Sequence, residues 1–343
     1  MGALQLAFLN VGQGDTTIIY DLDAKEAVVV DCINPIPVFE FLEAKEINRL
    51  RALILTHPHA DHYMGAVEFL DSCELRGIAW DACIFQWDYN KLPGLLDDGD
   101  GHSKAISDRK RKVSHYQELL RWAKRPESKS KHVEPHRLPQ DVRIVRSLSF
   151  LHPEYQDLQE LFETHSLNNL SYVIRVSDGT SALLTGDIEP EGWKFLHSNH
   201  QALLASNILK FPHHGVWRDG DVSQMLDEVN PQSVIISVGT ANTYGHPATN
   251  VFAEIRKRGI RLLCTQVTLQ CNKSIKDTCD KIWEAMKNED TFLAPKARTD
   301  SGCPCAGTII IELGEAARII SPSTKLHVNQ IIRPYMKDHQ CAV

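Results

Sequence analysis

The chain reads Thr56-His57-Pro58-His59-Ala60-Asp61-His62 directly after the apolar run Ala52-Leu53-Ile54-Leu55. An unbroken strand would direct these side chains to alternate faces, whereas Pro58 favours a loop just past the strand end. Three imidazoles and a carboxylate can then converge on one point. This ligand set suits zinc, manganese or iron and is typical of a hydrolytic rather than a redox centre. The stretch therefore predicts a metal site.

Length and composition indicate a soluble globular protein. With 343 residues and 43% hydrophobic composition, the chain can bury a large core, as one big domain with additions or as two small domains. No apolar run reaches the length of a membrane span, and residues 4–9 resemble a strand rather than a signal peptide. We therefore expect a cytoplasmic protein without a membrane segment.

The charge of the chain is unevenly distributed. The net charge of −7 argues against a protein that coats nucleic acid, yet residues 104–137 contain eleven Lys and Arg against four Asp and Glu. This basic segment is either a solvated helix and loop or a contact for phosphates. Within it, Tyr116 and Trp122 could stack on a single strand or anchor the helix to the body. Anchoring is favoured for Trp122, and both interpretations stay open for Tyr116.

Five of the nine cysteines crowd one C-terminal stretch, at Cys264, Cys271, Cys279, Cys303 and Cys305. In a reducing compartment such crowding indicates metal binding or buried thiols rather than disulfides. The spacing matches no standard zinc finger. An additional structural zinc ion at these cysteines is therefore one alternative, and small buried thiols are the other.

Strand-like and helix-like segments interleave along the chain, which predicts a layered α/β fold. Residues 87–140 are polar and broken by glycine and proline, so we interpret them as an insertion with one amphipathic helix over about Arg109 to Lys124. Further strands are expected at residues 143–150, 171–176, 181–184, 208–211 and 233–238.

More candidate ligands follow these later strands. Asp187 comes after an apolar strand and a glycine that permits a sharp turn, which is where an aspartate between two cations would lie. Paired histidines follow Pro212, and His246 follows another apolar strand. Together they suffice for two ions, with His57, His59 and His213 around one, Asp61, His62 and His246 around the other, and Asp187 between them.

The ordered motifs resemble the metallo-β-lactamase superfamily and, more narrowly, the hydrolase domain of bacterial ComEC-type competence DNA-uptake proteins. Choline-phosphate esterases of bacterial surfaces are relatives of this branch. The resemblance covers residues 3 to 250, and it depends on residues 10–15, 56–62, 168–171, 185–187, 210–215 and 244–247. No segment of the chain matches the membrane channel of those proteins.

This resemblance implies a four-layer αββα sandwich with two divalent ions, zinc or manganese, at the edge between its sheets. The hydrolase domain would span residues 1–262 with the basic insertion at about 88–140. A cysteine-rich C-terminal extension, residues 263–343, would add the last sheet strand and a tail. The superfamily often has a ligand histidine before the bridging aspartate, where this chain has Asn168-Asn169-Leu170-Ser171, and His165 is a weaker candidate nearby.

The resemblance also implies phosphodiester hydrolysis by a metal-activated hydroxide, with a nuclease acting on DNA or RNA as the leading hypothesis. The candidate catalytic residues are Asp61, Lys210 and His214: Asp61 could orient water, Lys210 could neutralise phosphate charge, and His214 could exchange roles with His213. Asp15 and Asp31 either hold ligand imidazoles in one tautomer or serve as turn residues.

Two other functions remain open from the sequence. One is hydrolysis of a small phosphodiester, ester or lactone. The other is a metal-binding regulatory component of a multi-protein complex, such as a defence complex, with a protein partner.

Overall fold

The computed structural model describes residues 2–85, 106–164, 166–240, 242–272, 279–287 and 302–336, and of residues 106–114 it describes the backbone alone. The strands are β1 (Gln5–Phe8), β2 (Thr17–Asp21), β3 (Glu26–Val30), β4 (Arg49–Ile54), β5 (Ala79–Trp80), β6 (Cys83–Ile84), β7 (Leu148–His152), β8 (Val173–Asp178), β9 (Thr180–Leu184), β10 (Ile208–Lys210), β11 (Ser233–Ile236), β12 (Arg261–Cys264), β13 (Ile309–Glu312) and β14 (Arg318–Ser321).

The helices are α1 (Pro35–Ala44), α2 (Ala60–Tyr63), α3 (Ala66–Cys73), α4 (Ile106–Lys124), α5 (Pro126–Lys129), α6 (Arg143–Arg146), α7 (Leu158–Glu163), α8 (Pro190–Leu204), α9 (Val222–Val229), α10 (Thr249–Lys257), α11 (Cys279–Lys287) and α12 (Arg333–Tyr335). Short 3₁₀ turns lie at Glu74–Arg76, Pro135–Arg137, Tyr155–Asp157 and Leu167–Leu170, and a π-helix spans Lys325–Ile332.

The described strands form two sheets. The first has the order β14-β13-β1-β2-β3-β4-β5, with β6 also paired to β4, and the second has the order β12-β11-β10-β9-β8-β7. Strands β3 and β4 are parallel in the first sheet, as are β9, β10, β11 and β12 in the second. The carboxyl ends of these parallel strands are the places where the sequence puts its candidate ligands.

Alternation along the strands creates three buried layers. In β1, Leu6 and Phe8 face the second sheet, and Ala7 faces helices on the other side. In β9, Ala182 and Leu184 face the first sheet, and Leu183 faces α8 and α9. Apolar side chains thus fill the space between the sheets and the space under each outer helical layer. The predicted αββα sandwich is confirmed.

The helix of the basic segment packs against the outer face of the first sheet. Trp122 is 1% exposed and its ring lies 5.7 Å from that of Trp80. Tyr116 is 2% exposed and meets Tyr63 edge to face at 5.6 Å. Both aromatic rings therefore anchor the helix, and the idea that they stack on a single strand is wrong. The side chains of Arg109 to Lys112 lie outside the described ones.

One expected strand is partly a helix. Residues 143–146 form α6, and the strand begins only at Leu148. Ile144 and Val145 are adjacent and both buried in the layer between the sheets, which an alternating strand would prevent. Arg143 also leaves the sheet face to pair with Asp21 and Asp178, each at 2.9 Å. Burial and ion pairing thus favour a helical turn here.

The C-terminal segment contributes to the first sheet. Strand β13 pairs antiparallel with β1, Leu6 opposite Ile311, and β14 extends the edge. The predicted late strand over about residues 307–313 is thereby confirmed. Among the described residues, no helix combines the length and the apolar composition that crossing a membrane requires.

Replacing Trp122 with alanine should lower the free energy of unfolding by about 3–5 kcal/mol, because the change leaves a large cavity in a tightly packed layer. Urea denaturation followed by circular dichroism would measure the loss. The matched control is Tyr155→Ala, since Tyr155 is 92% exposed and its removal should cost about 0.5 kcal/mol or less. Equal effects of the two substitutions would contradict the anchoring role.

Candidate metal centre

The candidate ligands meet where strands from both sheets end. Ligands at the carboxyl ends of parallel strands share one edge of a sheet, and the two edges face each other here. The contributing residues are Asp31 after β3, His57 to His62 after β4, Asp187 after β9, Lys210 at the end of β10, His214 beyond it, His246 after β11, and Asp15 from the β1–β2 loop.

Asp31 fixes the orientation of His62. Both residues are buried, and the His62 Nδ1–H donates to Asp31 Oδ2 at 2.7 Å. Because Nδ1 is engaged, Nε2 carries the free electron pair that a metal needs, and it lies 3.3 Å from Asp187 Oδ2. A carboxylate behind a histidine is the usual support of a metal-binding imidazole. Asp31 is thus placed as expected for a residue that holds a candidate ligand imidazole in one tautomer.

Thr56 extends this support to His57, which sequence reasoning missed. The Thr56 hydroxyl donates to Asp31 Oδ2 at 2.8 Å, and the Thr56 N–H donates to Asp31 Oδ1 at 2.7 Å. Since the hydroxyl proton is used, Thr56 Oγ1 can only accept from His57 Nδ1, which is 3.1 Å away. The lone pair of His57 is therefore on Nε2, 4.0 Å from Asp187 Oδ2.

Of the paired histidines, His214 points inward. Its Nδ1–H donates to the Ser237 carbonyl oxygen at 2.9 Å, and its Nε2 lies 3.2 Å from Asp61 Oδ2 and 3.5 Å from Asp187 Oδ2. His213 Nδ1 instead lies 3.5 Å from Glu189 Oε1. The geometry of a supported ligand therefore belongs to His214, whereas the sequence grouping used His213.

Asp15 belongs to the tightest group of possible ligands. Within the described part of the chain, Asp15, His62, Asp187 and His214 offer ligand atoms that all lie within 4.8 Å of one another. All four residues are buried. Sequence reasoning gave Asp15 a supporting or turn role, because the Asn-Val-Gly-Gln-Gly-Asp loop carries no second metal-capable residue to mark it.

Lys210 shares the centre with Asp15. Its ammonium group is buried, contacts Asp15 Oδ2, donates to the Gly186 carbonyl oxygen at 3.2 Å and lies 3.8 Å from Asp187 Oδ1. Burial opposes its charge, but Asp15 and Asp187 outweigh this and raise the pKa of Lys210. The expected position of Lys210 facing the centre is therefore observed, with a permanent positive charge.

The remaining predicted ligands border this group. The rings of His57 and His59 are 4.8 Å apart, and the His246 ring lies 5.6 Å from His213 and 6.4 Å from His214. Asp61 is next to this group because its carboxylate contacts His214. The weaker candidate His165 lies outside the described residues.

The stretch that replaces the superfamily histidine has structural contacts of its own. Ser171 Oγ accepts from the Asp187 N–H at 3.0 Å and so fixes the backbone of that aspartate. Asn169 Oδ1 accepts from the N–H groups of Glu189 and Gly192, at 3.2 and 3.0 Å, and thereby caps the start of α8.

The protonation of the centre follows from its burial and its carboxylates. Burial, with His62 and His59, holds the pKa of His57 well below its usual value. Burial also opposes charge on His214, yet Asp187 and Asp61 raise its pKa to about 9. Burial lowers the pKa of His62 as well, but the negative charges of Asp187 and Asp31 have the larger effect and raise it well above its usual value. Such clusters of shifted groups are typical of functional sites.

Unsatisfied buried atoms fit a cation here. His57 Nε2, His62 Nε2, Asp15 Oδ1 and Asp187 Oδ1 are buried and have no hydrogen-bond partner within the described structure. Such atoms are costly unless something binds them, and imidazole nitrogens with carboxylate oxygens are ligands for zinc or manganese. The donor set therefore matches divalent metal binding.

The C-terminal cysteines are buried outside the second sheet. Cys264, Cys271, Cys279, Cys303 and Cys305 are all buried in the apolar layer outside the second sheet. Among the residues that can be described, the only group with metal-like spacing contains no cysteine. Their burial fits the alternative of small buried thiols, and the structural zinc ion stays a prediction.

Part of the chain is similar in sequence to known metallo-beta-lactamase superfamily proteins. Residues 9–79 match the model of the metallo-beta-lactamase superfamily. ComE operon protein 3 of Bacillus subtilis is 26% identical over 76% of this chain and 32% of its own length. Competence protein ComA of Neisseria gonorrhoeae is 36% identical over 29% of this chain and 15% of its own length. The chain thus spans about a third or less of these curated relatives.

Among solved structures, the metallo-beta-lactamase fold protein YhfI from Bacillus subtilis is 13% identical, with 74% of this chain and 92% of that chain covered and a TM-score of 0.39. The family match, residues 9–79, includes the histidine motif and strands β2 to β4. Residues 9–79 are thus similar to the metallo-beta-lactamase superfamily, and the chain is similar in sequence to ComE operon protein 3 and to competence protein ComA.

Proposed function

We propose that this protein is a phosphodiesterase that uses two divalent ions, zinc or manganese, to hydrolyse nucleic acid. The observation that carries the proposal is the convergence of Asp15, His62, Asp187 and His214 within 4.8 Å. Buried nitrogen and oxygen atoms without partners line the same point.

We assign the ligands by their position. His57 and His59 would hold one ion, and Asp61, His62 and His246 would hold the other, with Asp187 between them and His214 in the place first given to His213. When bound, divalent ions supply Lewis acidity and lower the pKa of water.

The protein groups around that point perform the remaining tasks. Lys210 holds a fixed positive charge beside Asp187, where it can stabilise charge on the phosphoryl oxygens. Asp61 is a carboxylate, because His214 and His62 outweigh the effect of burial and depress its pKa. Its side chain is 37% exposed, so it can orient a water that arrives from the solvent side by accepting a hydrogen bond from it.

The choice of nucleic acid rests on the resemblance to the hydrolase domain of competence DNA-uptake proteins and on relatives named for competence. The basic residues Arg109 to Lys112 contribute no argument, since their side chains are outside the described set. Substrate assays should therefore run DNA, RNA and a small phosphodiester in parallel.

Asp187→Asn should abolish hydrolysis of all substrates and reduce bound metal, because the change removes the carboxylate charge that faces three imidazoles. Turnover of labelled DNA, RNA and bis(p-nitrophenyl) phosphate, with metal content by mass spectrometry, would test this. Circular dichroism should show an unchanged fold. Asp141→Asn, at an exposed turn, is the control. Normal cleavage by Asp187→Asn would refute the assignment.

Thr56→Val should weaken metal binding by about 10- to 100-fold, the usual effect of losing a group that orients a ligand. The hydroxyl that bridges Asp31 and His57 disappears while the side-chain volume stays similar. Titration calorimetry with manganese would measure the affinity. The matched control is Thr180→Val, since the buried Thr180 hydroxyl has no hydrogen-bond partner in the described structure. Unchanged affinity in Thr56→Val would show that Thr56 does not support His57.

His214→Ala should lose at least about tenfold in metal affinity, because a supported imidazole is removed. His213→Ala should keep most of it, because that ring lies beside Glu189. The same calorimetric titration compares the two variants. A larger loss in His213→Ala would restore the grouping expected from the sequence.

A further inference from the structure

Tyr244 lies at the rim of the metal centre and has no part in the ligand assignment above. Its side chain is 53% exposed, although the ring is among the larger apolar groups of the chain. The ring stacks on His246, with centroids 5.5 Å apart and planes 13° apart. His246 in turn lies 5.6 Å from His213 and 6.4 Å from His214. About half of an aromatic side chain is therefore exposed one ring away from the centre.

The turn that carries Tyr244 is held firmly. Asn242 donates to the carbonyl oxygens of Gly239 and His246, at 2.7 and 3.0 Å, and accepts from the His246 N–H at 2.8 Å. Gln270 donates to the Gly245 carbonyl oxygen at 3.3 Å. A ring fixed before the substrate arrives loses little conformational entropy on binding. This arrangement suits a contact with substrate better than a mobile surface side chain would.

The positive charge of Arg218 near Tyr244 determines which kind of substrate group can bind against the Tyr244 ring. Arg218 is exposed and is close enough to His246 to interact with it electrostatically. A quaternary ammonium group, as in a choline ester, would meet repulsion from Arg218. A nucleobase carries no such charge, and the phosphates that flank it would be attracted to the arginine.

We infer that Tyr244 stacks on the nucleobase next to the scissile phosphodiester and thereby directs the enzyme to nucleotide substrates. The inference rests on the proposed phosphodiesterase function and deepens it by naming a residue that positions substrate. Stacking on aromatic side chains tolerates any base, because every base has a π face. Tyr244 would therefore favour nucleic acid as a class without selecting a sequence.

Two esters with the same leaving group provide the kinetic test. Thymidine 5′-(p-nitrophenyl phosphate) carries a base, and methyl p-nitrophenyl phosphate carries none. Tyr244→Ala should lower kcat/KM about tenfold for the thymidine ester, mainly through KM, and should leave the methyl ester within about twofold. Tyr244→Phe should retain the wild-type values because it keeps the ring. Tyr155→Ala, at a distant exposed tyrosine, should change neither ester.

A binding measurement separates this inference from the proposed function. Fluorescence anisotropy at fixed salt would compare a labelled oligothymidylate with an abasic oligomer of equal length, using metal-free protein. Tyr244→Ala should raise the Kd about tenfold for oligothymidylate and leave the abasic oligomer unchanged.

The two measurements distinguish failure of base stacking from failure of the phosphodiesterase proposal. Equal losses on the two esters, or on the two oligomers, would overturn base stacking while leaving the phosphodiesterase proposal intact. A wild-type preference for p-nitrophenyl phosphocholine that disappears in Tyr244→Ala would overturn it in favour of a cationic head group. If wild type hydrolyses neither ester, the phosphodiesterase proposal fails, and the anisotropy data still decide the role of Tyr244.

Discussion

The three hydrogen bonds that end on the Asp31 carboxylate organise the centre. Asp31 accepts from the Thr56 N–H, the Thr56 hydroxyl and His62 Nδ1, and it has a positive φ of 60° that places it just past β3. Two histidines on one loop thereby present Nε2 in the same direction. Burying a carboxylate is costly unless it is fully hydrogen-bonded, so this anchor is stable only because all three donors are present. The rest of the centre is built against these two fixed rings.

A second constraint is the balance of buried charge. Lys210 places an ammonium group among Asp15 and Asp187, and in the absence of a cation the raised pKa values of His62 and His214 add further positive charge. Ions that bind here must therefore displace protons, since a ligand imidazole has to be neutral. Asp15 and Asp187 raise the pKa of Lys210 and so favour its charged form. The centre therefore combines a lysine ammonium group with imidazoles that must lose protons when a cation binds.

Much of this could be predicted from residues that follow strands. The histidine motif, Asp187 and His246 each stand after an apolar run. Alternating strands and helices predicted a layered α/β fold, and the resemblance to the metallo-β-lactamase superfamily implied the αββα order of its layers. The choice between His213 and His214 was not accessible in this way, because it depends on the carbonyl oxygen of Ser237, which lies just past the end of β11. Asp15 was underestimated for the same reason: its importance comes from proximity in space. Tyr116 was undecided because a helical spacing cannot tell which face of a helix meets a sheet.

The pairing of β1 with β13 has a consequence for synthesis of the chain. Strand β1 is made before the other described strands, yet its partner on one side is supplied by residues 309–312. Until those residues leave the ribosome, a row of backbone N–H and C=O groups on β1 stays open to pairing with other chains. The hydrogen bond from the Asn10 N–H to Thr308 Oγ1 also cannot form until this C-terminal segment has been synthesised. Nascent chains therefore pass through a long aggregation-prone interval, in which chaperones that shield strand edges would raise the yield of folded protein.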